Sequence, residues 1–463
     1  MCPCEKPVNV RKINKRKRPL FLCISNYLMS GTEKSGSNLV IFSEHLRFFN
    51  ASSNVKGNCF TFAGHYNSSM SYQLYIIGSG RRILFAALIM MVLSCTQNQA
   101  FPITTSQVSD DSLVSNQKTD KPALDTLNDG IASVFSGLPP LNGCTGLSSE
   151  KGWITYQQHI NSDWKLVEKN KTGPISRWRV NNLDTISSRS ATLFYPFAGA
   201  DFLYANAFFP EVSNYILIGL EPVGKLHTCS AMSKKDFISY LEEIRNSLYY
   251  SNQLGFFRTK SMETDLNQES LDGTLPLILF YIRKTGHHIS GISYFTLDKK
   301  GGIVSANQDS ATYGVKIAFF DSSDQKQQVL YYLSYDLSDK NLLKHPELLQ
   351  FVKSFGTQEC FLKAASYLMF TGGFHVMRNY VLEQELSVLQ DDSGIPYKFF
   401  KSSGWTVKLF GTYTKTIDMF KYKFQPDLQS AYEKQTTKLS VPFRIGYNVK
   451  FNETNLLFAK KKH

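Results

Sequence analysis

Several signatures that would name a chemistry are missing from this 463-residue sequence. It has no Gly-x-Ser-x-Gly elbow and no phosphate-cradling Gly-Lys-Ser/Thr loop. Its nine histidines never fall at His-x-x-x-His or His-Glu-x-x-His spacing, so the pattern offers no zinc site. Neither a metal nor a cofactor is expected. Charge is also scarce, at 19% of residues against 42% hydrophobic, which excludes a solvated, disordered chain. No apolar run reaches the roughly 20 residues of a membrane-crossing helix. The longest, at 83–93, has eleven.

The formal charge of +13 is concentrated rather than spread. Residues 1–82 carry +9, and the remainder carries +4. So small an excess over the main body gives no basis for a nucleic-acid partner.

Arg81 and Arg82 stand directly before the eleven-residue apolar run, and Ser94 and Cys95 directly after it. A positive flank, a short apolar segment and a small residue at the cut make a secretory signal. Positive charge stays on the cytoplasmic side, which leaves Cys95 facing outward. The stretch Val92-Leu93-Ser94-Cys95 resembles the lipobox of bacterial lipoprotein precursors, with Val92 where Leu is commoner. That resemblance implies cleavage before Cys95, acylation of its thiol, for example with palmitate, and tethering to a membrane of the cell envelope. Such signals begin near the N-terminus. Translation from Met70 gives a sensible length, so residues 1–69 read as upstream sequence and 70–94 as the signal. The polar, aperiodic stretch that follows reads as a flexible tether over 95–139, leaving 140–463 as the globular domain.

Within that domain, Trp153, Tyr156, Ile160, Trp164 and Val167 share one face of a helix over 152–168, stopped by Gly173-Pro174. A strand at 191–195, a helix at 201–208 and a strand at 215–220 read as one parallel βαβ unit. Ser233 and Asp236 form a capping box for a helix whose buried face is Phe237, Leu241, Ile244 and Leu248. Runs at 313–320 and 328–337 read as an antiparallel hairpin. Helices are expected at 339–353, 360–370 and 374–384, and strands at 386–390, 405–413 and 439–447. The fold class is therefore α/β: a mixed sheet flanked by helices.

Four carboxylates are the candidate catalytic groups. Asp201 follows the first strand of the βαβ unit and Glu221 ends the second, which puts both at the carboxyl edge where open α/β sheets bind ligands. Asp391 and Asp392 follow a further strand, and adjacent acids can hold a raised pKa for acid–base work. Each also has a bland reading: Asp201 as a helix cap, Glu221 before Pro222, and Asp391-Asp392-Ser393-Gly394 as a turn. The arrangement of Gly199 after strand one and Glu221 after strand two resembles class I methyltransferases, where an acid at that place takes the ribose hydroxyls. Here Gly199 stands alone and Pro196 interrupts the loop. Stretches 195–224 and 389–397 resemble uncharacterised bacterial secreted proteins, which implies no activity.

Cys144, Cys229 and Cys360 allow one disulfide with one thiol left over, in three pairings. A Cys–His nucleophile pair such as Cys229 with His227 has no supporting pattern around it. His287 and His288, neighbours on a strand, must face opposite ways. Two functions remain: an envelope enzyme with the four acids in one cleft, or a binding module for a protein or small molecule with the same acids in turns.

Overall fold

In the computed structural model the described residues are 59–65, 71–77, 122–140, 144–183, 191–254, 271, 273–307, 314–323, 325–402, 404–447 and 453–462. The apolar run at 83–93 and Cys95 lie outside them, so the export signal has no structural account. The chain divides into two compact units, Met1–Asp111 and Ser112–His463. In the first, β1 (Cys59–His65) and β2 (Ser71–Ile77) pair antiparallel. Everything below concerns the second.

That unit is α/β. Its ten strands form one mixed sheet flanked by helices. Five run parallel at its centre: β3 (Thr192–Tyr195), β4 (Asn214–Gly219), β8 (Gln327–Ser334), β9 (Glu359–Leu362) and β10 (Ser387–Gln390). They lie in the spatial order β8-β4-β3-β9-β10. Numbered along the chain, that order is 3-2-1-4-5, so the direction of winding reverses between β3 and β9. Antiparallel strands finish both sides. β12 (Asn455–Lys461) and β11 (Trp405–Gly411) follow β10, while β7 (Gly314–Asp321), β5 (His287–Leu297) and β6 (Ile303–Ala306) follow β8.

The central strands read as unbroken apolar runs because both of their faces are covered. Leu193 and Tyr195 enter one core with Tyr215 and Leu217, whereas Phe194 enters the other with Ile216 and Ile218. The first core is closed by α1 (Thr126–Phe135), α2 (Lys151–Val167), α3 (Gly173–Asn182), α4 (Phe202–Phe208), α5 (Lys234–Leu254) and α6 (Leu275–Lys284). All five expected residues of α2 are buried, as are the four of α5. Ser233 caps α5 as expected, its hydroxyl accepting from the Asp236 amide at 3.2 Å.

Several expectations need correction. The tether was drawn to 139, but α1 is a capped helix with Ile131, Val134 and Phe135 in the core. The folded body thus includes Asp125, whose amide bonds the Ile289 carbonyl of β5. Gly173-Pro174 does not stop the helix. The chain passes through a wide turn, Glu168–Thr172, and Pro174 opens α3, where a missing N–H costs nothing. The expected helix at 360–370 is strand β9 followed by a loop, with Phe361 in one core and Cys360 and Leu362 in the other. The strand expected at 439–447 reduces to a single bridge between Leu439 and Phe410, because Pro442 cannot donate to a ladder and Gly446 turns the chain at φ 65°. Its place in the sheet is taken by β12. The helix expected over 339–353 is broken at Pro346 into α7 (Asp339–Lys344) and α8 (Glu347–Lys353). A final pair, α9 (His375–Gln384) and α10 (Pro426–Glu433), completes the second core.

Cys144 and Cys229 form a disulfide, and Cys360 is a buried free thiol. This selects one pairing of the three and removes Cys229 as a nucleophile for His227.

Candidate functional site

Parallel pairing of β3 with β4, and of β9 with β3 and β10, sends four chain segments out at one carboxyl edge. Asp201, Glu221, Lys363 and the Asp391-Asp392 pair all emerge there. The expectation that Asp201 and Glu221 share an edge holds, and the Asp391-Asp392 pair joins them.

The loop after β3 is held tightly. Phe197 has φ 62° and Gly199 φ 57°, both left-handed. A left-handed phenylalanine costs energy that the surrounding packing must supply. Asp201 then caps α4, accepting from the Tyr204 amide at 3.3 Å, so the capping reading of this acid is correct. Its second oxygen does more. It accepts from the Tyr195 hydroxyl at 2.8 Å and meets the Lys363 ammonium at 2.7 Å. Both side chains of that ion pair are nearly buried, 3% exposed for Lys363 and 4% for Asp201. The ammonium also lies 3.9 Å from the centre of the Tyr204 ring. Lys171 approaches the same ring, and burial together with the Lys363 charge pushes its pKa down to about 8.

Lys363 leads into the loop after β9, where Ala364, Ser366 and Tyr367 all have positive φ, at 52°, 53° and 53°. With Phe197, four of the five such non-glycine residues among the described ones flank the β3–β9 reversal; the fifth, Gln325, is in the β7–β8 hairpin. Backbone strain of this kind is costly and clusters at functional sites.

Asp391 is completely buried. It accepts from the Ala364 amide (2.8 Å), the Ser393 amide (2.9 Å) and the Ser393 hydroxyl (2.5 Å). Burial raises its pKa, while these hydrogen bonds and the Lys363 charge oppose the rise. The Gly446 backbone packs against the same carboxylate, where a Cβ would come within 1.8 Å of Oδ2. Asp392 faces a different set of partners. It accepts from the Tyr367 hydroxyl at 2.5 Å and from Asn455 Nδ2 at 3.1 Å. Burial, and then the neighbouring Asp391 charge, push its pKa up to about 7. The turn reading of this segment is also correct, since the Gly394 amide bonds the Asp391 carbonyl. Tyr447 closes this side, donating to the Ala364 carbonyl at 2.7 Å and sharing a 2.6 Å bond with Ser366.

Glu221 is buried and reaches the same edge differently. A Cβ on Gly219 would come within 2.6 Å of its Oε2, so that glycine gives it room, and the carboxylate lies 3.5 Å from where a Cβ on Gly199 would stand, an ordinary packing distance. Asp201, Lys363 and Asp391 thus form one electrostatic cluster, Asp392 extends it through Tyr367, and Glu221 backs the loop that carries Asp201.

Sequence reasoning missed Lys363, Tyr195, Tyr367, Asn455 and Gly446. Lys363 hid because Cys360-Phe361-Leu362 is too short to tell strand from helix. Three of the histidines have near side-chain partners. His288 bonds Asp129 at 3.1 Å, His287 bonds Thr285 at 3.0 Å, and His345 bonds Glu347 at 3.2 Å. Among the described residues no group of three or more His, Cys, Asp or Glu side chains is placed to hold a metal, and no helix is long and apolar enough to cross a membrane. No family model matches the chain, and no curated protein matches it either.

Proposed function

We propose that this is a lipid-anchored protein of the cell envelope whose α/β domain binds a small polar substrate at the β3–β9 reversal and performs acid–base chemistry on it. The observation that carries the reading is the coincidence, at one edge, of buried carboxylates, a buried lysine and strained loops. An open parallel sheet binds its ligands at such a reversal. Asp392, with a pKa near 7, can both give and take a proton at neutral pH. In the reaction Asp392 removes a proton from the substrate as the Tyr367 hydroxyl bond holds its carboxylate in place, then returns it to the product. Lys363, held by Asp201, meets the negative charge that develops. Cys95 supplies the anchor. The Cys144–Cys229 disulfide supports an oxidising compartment outside the cytoplasm.

A second reading, a methyl-donor site, is favoured by one observation: the buried Glu221 follows β4 beside the loop that carries Gly199. Export weighs against it, since a nucleotide methyl donor is a cytoplasmic compound. A thermal-shift panel of sugar phosphates, small carboxylates, amino acids and S-adenosylmethionine tests both. Stabilisation by a non-nucleotide compound, lost in Lys363→Met and altered in pH dependence by Asp392→Asn, supports the acid–base reading. Stabilisation by S-adenosylmethionine alone, lost in Glu221→Gln, supports the second. Compounds that bind parent and Lys363→Met equally contradict the acid–base site and leave a non-catalytic binding module.

A further inference from the structure

The segment between β11 and α10 leaves the sheet beside the candidate site and turns back at Asp418–Lys423, a short 3-10 stretch kinked at Phe420. Phe420 faces inward. Its ring lies 4.9 Å from Tyr367 and 5.7 Å from Tyr447, the two tyrosines that close the Asp391-Asp392 side. The residues on either side of it do the opposite. Met419 is 73% exposed and Tyr422 is 85% exposed, with no core residue covering either. Lys415 and Lys421 are exposed beside them, and the Lys421 ammonium lies 5.0 Å from the Tyr422 ring. Residues 412–424 contain three lysines against one acid, Asp418.

From this we infer that the turn around Met419 and Tyr422 is a docking surface for an anionic lipid bilayer. A large apolar side chain and a tyrosine held in water at the tip of a turn gain by entering the interface between headgroup and acyl chain, where tyrosine is favoured. Lysines around them gain from the negative surface potential of anionic lipid. Met and Tyr are enriched at protein–protein interfaces too, but lysine is depleted from them, so it is the lysines beside Met419 and Tyr422 that favour a headgroup layer over a protein partner. The turn is anchored from behind by Phe420, so the docked face is presented rigidly and Tyr367 and Asp392 lie directly beneath it. The inference does not need acylation at Cys95, and it can be tested without the anchor.

The test uses the mature chain from residue 96, which contains the whole second unit and no lipid. Co-sedimentation is measured with vesicles of phosphatidylglycerol and of phosphatidylcholine, at low and high salt. The parent should bind phosphatidylglycerol vesicles at least about tenfold more tightly than phosphatidylcholine, with the difference shrinking as salt rises. Met419→Ser/Tyr422→Ser should weaken binding about tenfold or more, as should Lys415→Glu/Lys421→Glu, with unfolding midpoints unchanged because these side chains are exposed. No binding of the parent to phosphatidylglycerol vesicles overturns the inference. Equal binding by parent and both double variants overturns it too, as does capture of a protein through this turn without vesicle binding. Loss of vesicle binding with the Lys363-dependent ligand effects intact separates this surface from the site beneath it.

Discussion

Lys363 and Asp201 meet at 2.7 Å in the interior, each placed by the strand it follows, β9 and β3, on the two sides of the point where the sheet reverses its winding. The pair joins two halves of the fold and lies where a ligand would bind. A buried ion pair contributes little over an apolar pair of similar volume, but removing one partner leaves the other charge without compensation.

Lys363→Met should therefore destabilise the domain by about 3–5 kcal/mol. Adding Asp201→Asn should recover a large part of that loss, though not the helix-cap share that a full truncation would forfeit. Urea unfolding of the two single variants and the double variant measures this. Purely additive losses would show that the two side chains do not act as a pair.

At the opposite, amino edge of the sheet, Glu385 is buried with both carboxyl oxygens unpartnered. Burial, and then the charge of Glu359, raise its pKa from 4.5 to about 8, while Lys461 opposes the rise. The folded protein then keeps a proton that the unfolded chain loses above about pH 4.5. Stability is fully present below that pH and falls as pH rises, ending near pH 8, at a slope of up to about 1.4 kcal/mol per pH unit. Asp392 adds a loss of the same sign that ends near pH 7. Unfolding free energies measured every half unit should show Glu385→Gln removing the slope between pH 7 and 8. An unchanged slope in that window would mean Glu385 is ionised in the folded state.

The Cys144–Cys229 bond closes a long loop, with a sequence separation of 85. Cys144→Ser/Cys229→Ser should lower stability by about 2–4 kcal/mol. Cys360, buried and with its thiol pKa raised by burial, should resist maleimide until the protein unfolds. Urea unfolding of parent and variant checks the first statement, and mass spectrometry after alkylation of the native protein checks the pairing and the second. Rapid labelling of all three cysteines would contradict them.

Cys95 should carry lipid. Metabolic labelling with a palmitate analogue should mark the native protein and not Cys95→Ala, and translation begun at Met70 should give the same product. Stable anchoring implies more than one acyl chain, since a single chain binds only marginally. Limited proteolysis of the mature protein should cut first before Asp125, which belongs to the folded body. Equal labelling of both proteins would remove the anchor.

What the sequence disclosed depended on period and length. The α2 face from Trp153 to Val167 and the β7–β8 hairpin were legible because each pattern repeats several times over its element, and the Ser233 capping box because its fixed spacing is read within four residues. The carboxyl edge was legible because β3 and β4 are short, apolar and separated by one helix. Strand β9 was not, since four residues do not complete either period. Lys363 was lost with it, and so was the link between Asp201 and Asp391. β12 carries no sequence expectation, because only five residues of apolar or short polar sequence precede Lys460 and Lys461, and its partners come from β10 and β11, far back in the chain. Burial decides the role of Asp392, and burial is a property of the whole fold that no local pattern reports.

The central claim is that Asp392 exchanges a proton near neutral pH inside the site. Carbon-13 NMR of aspartate carboxyl groups, recorded from pH 5 to 9 on the parent and on Asp392→Asn, measures it directly. One carboxyl signal should titrate with a midpoint near 7 in the parent and be absent from the variant. A parent in which every aspartate is already ionised at pH 5 would contradict it.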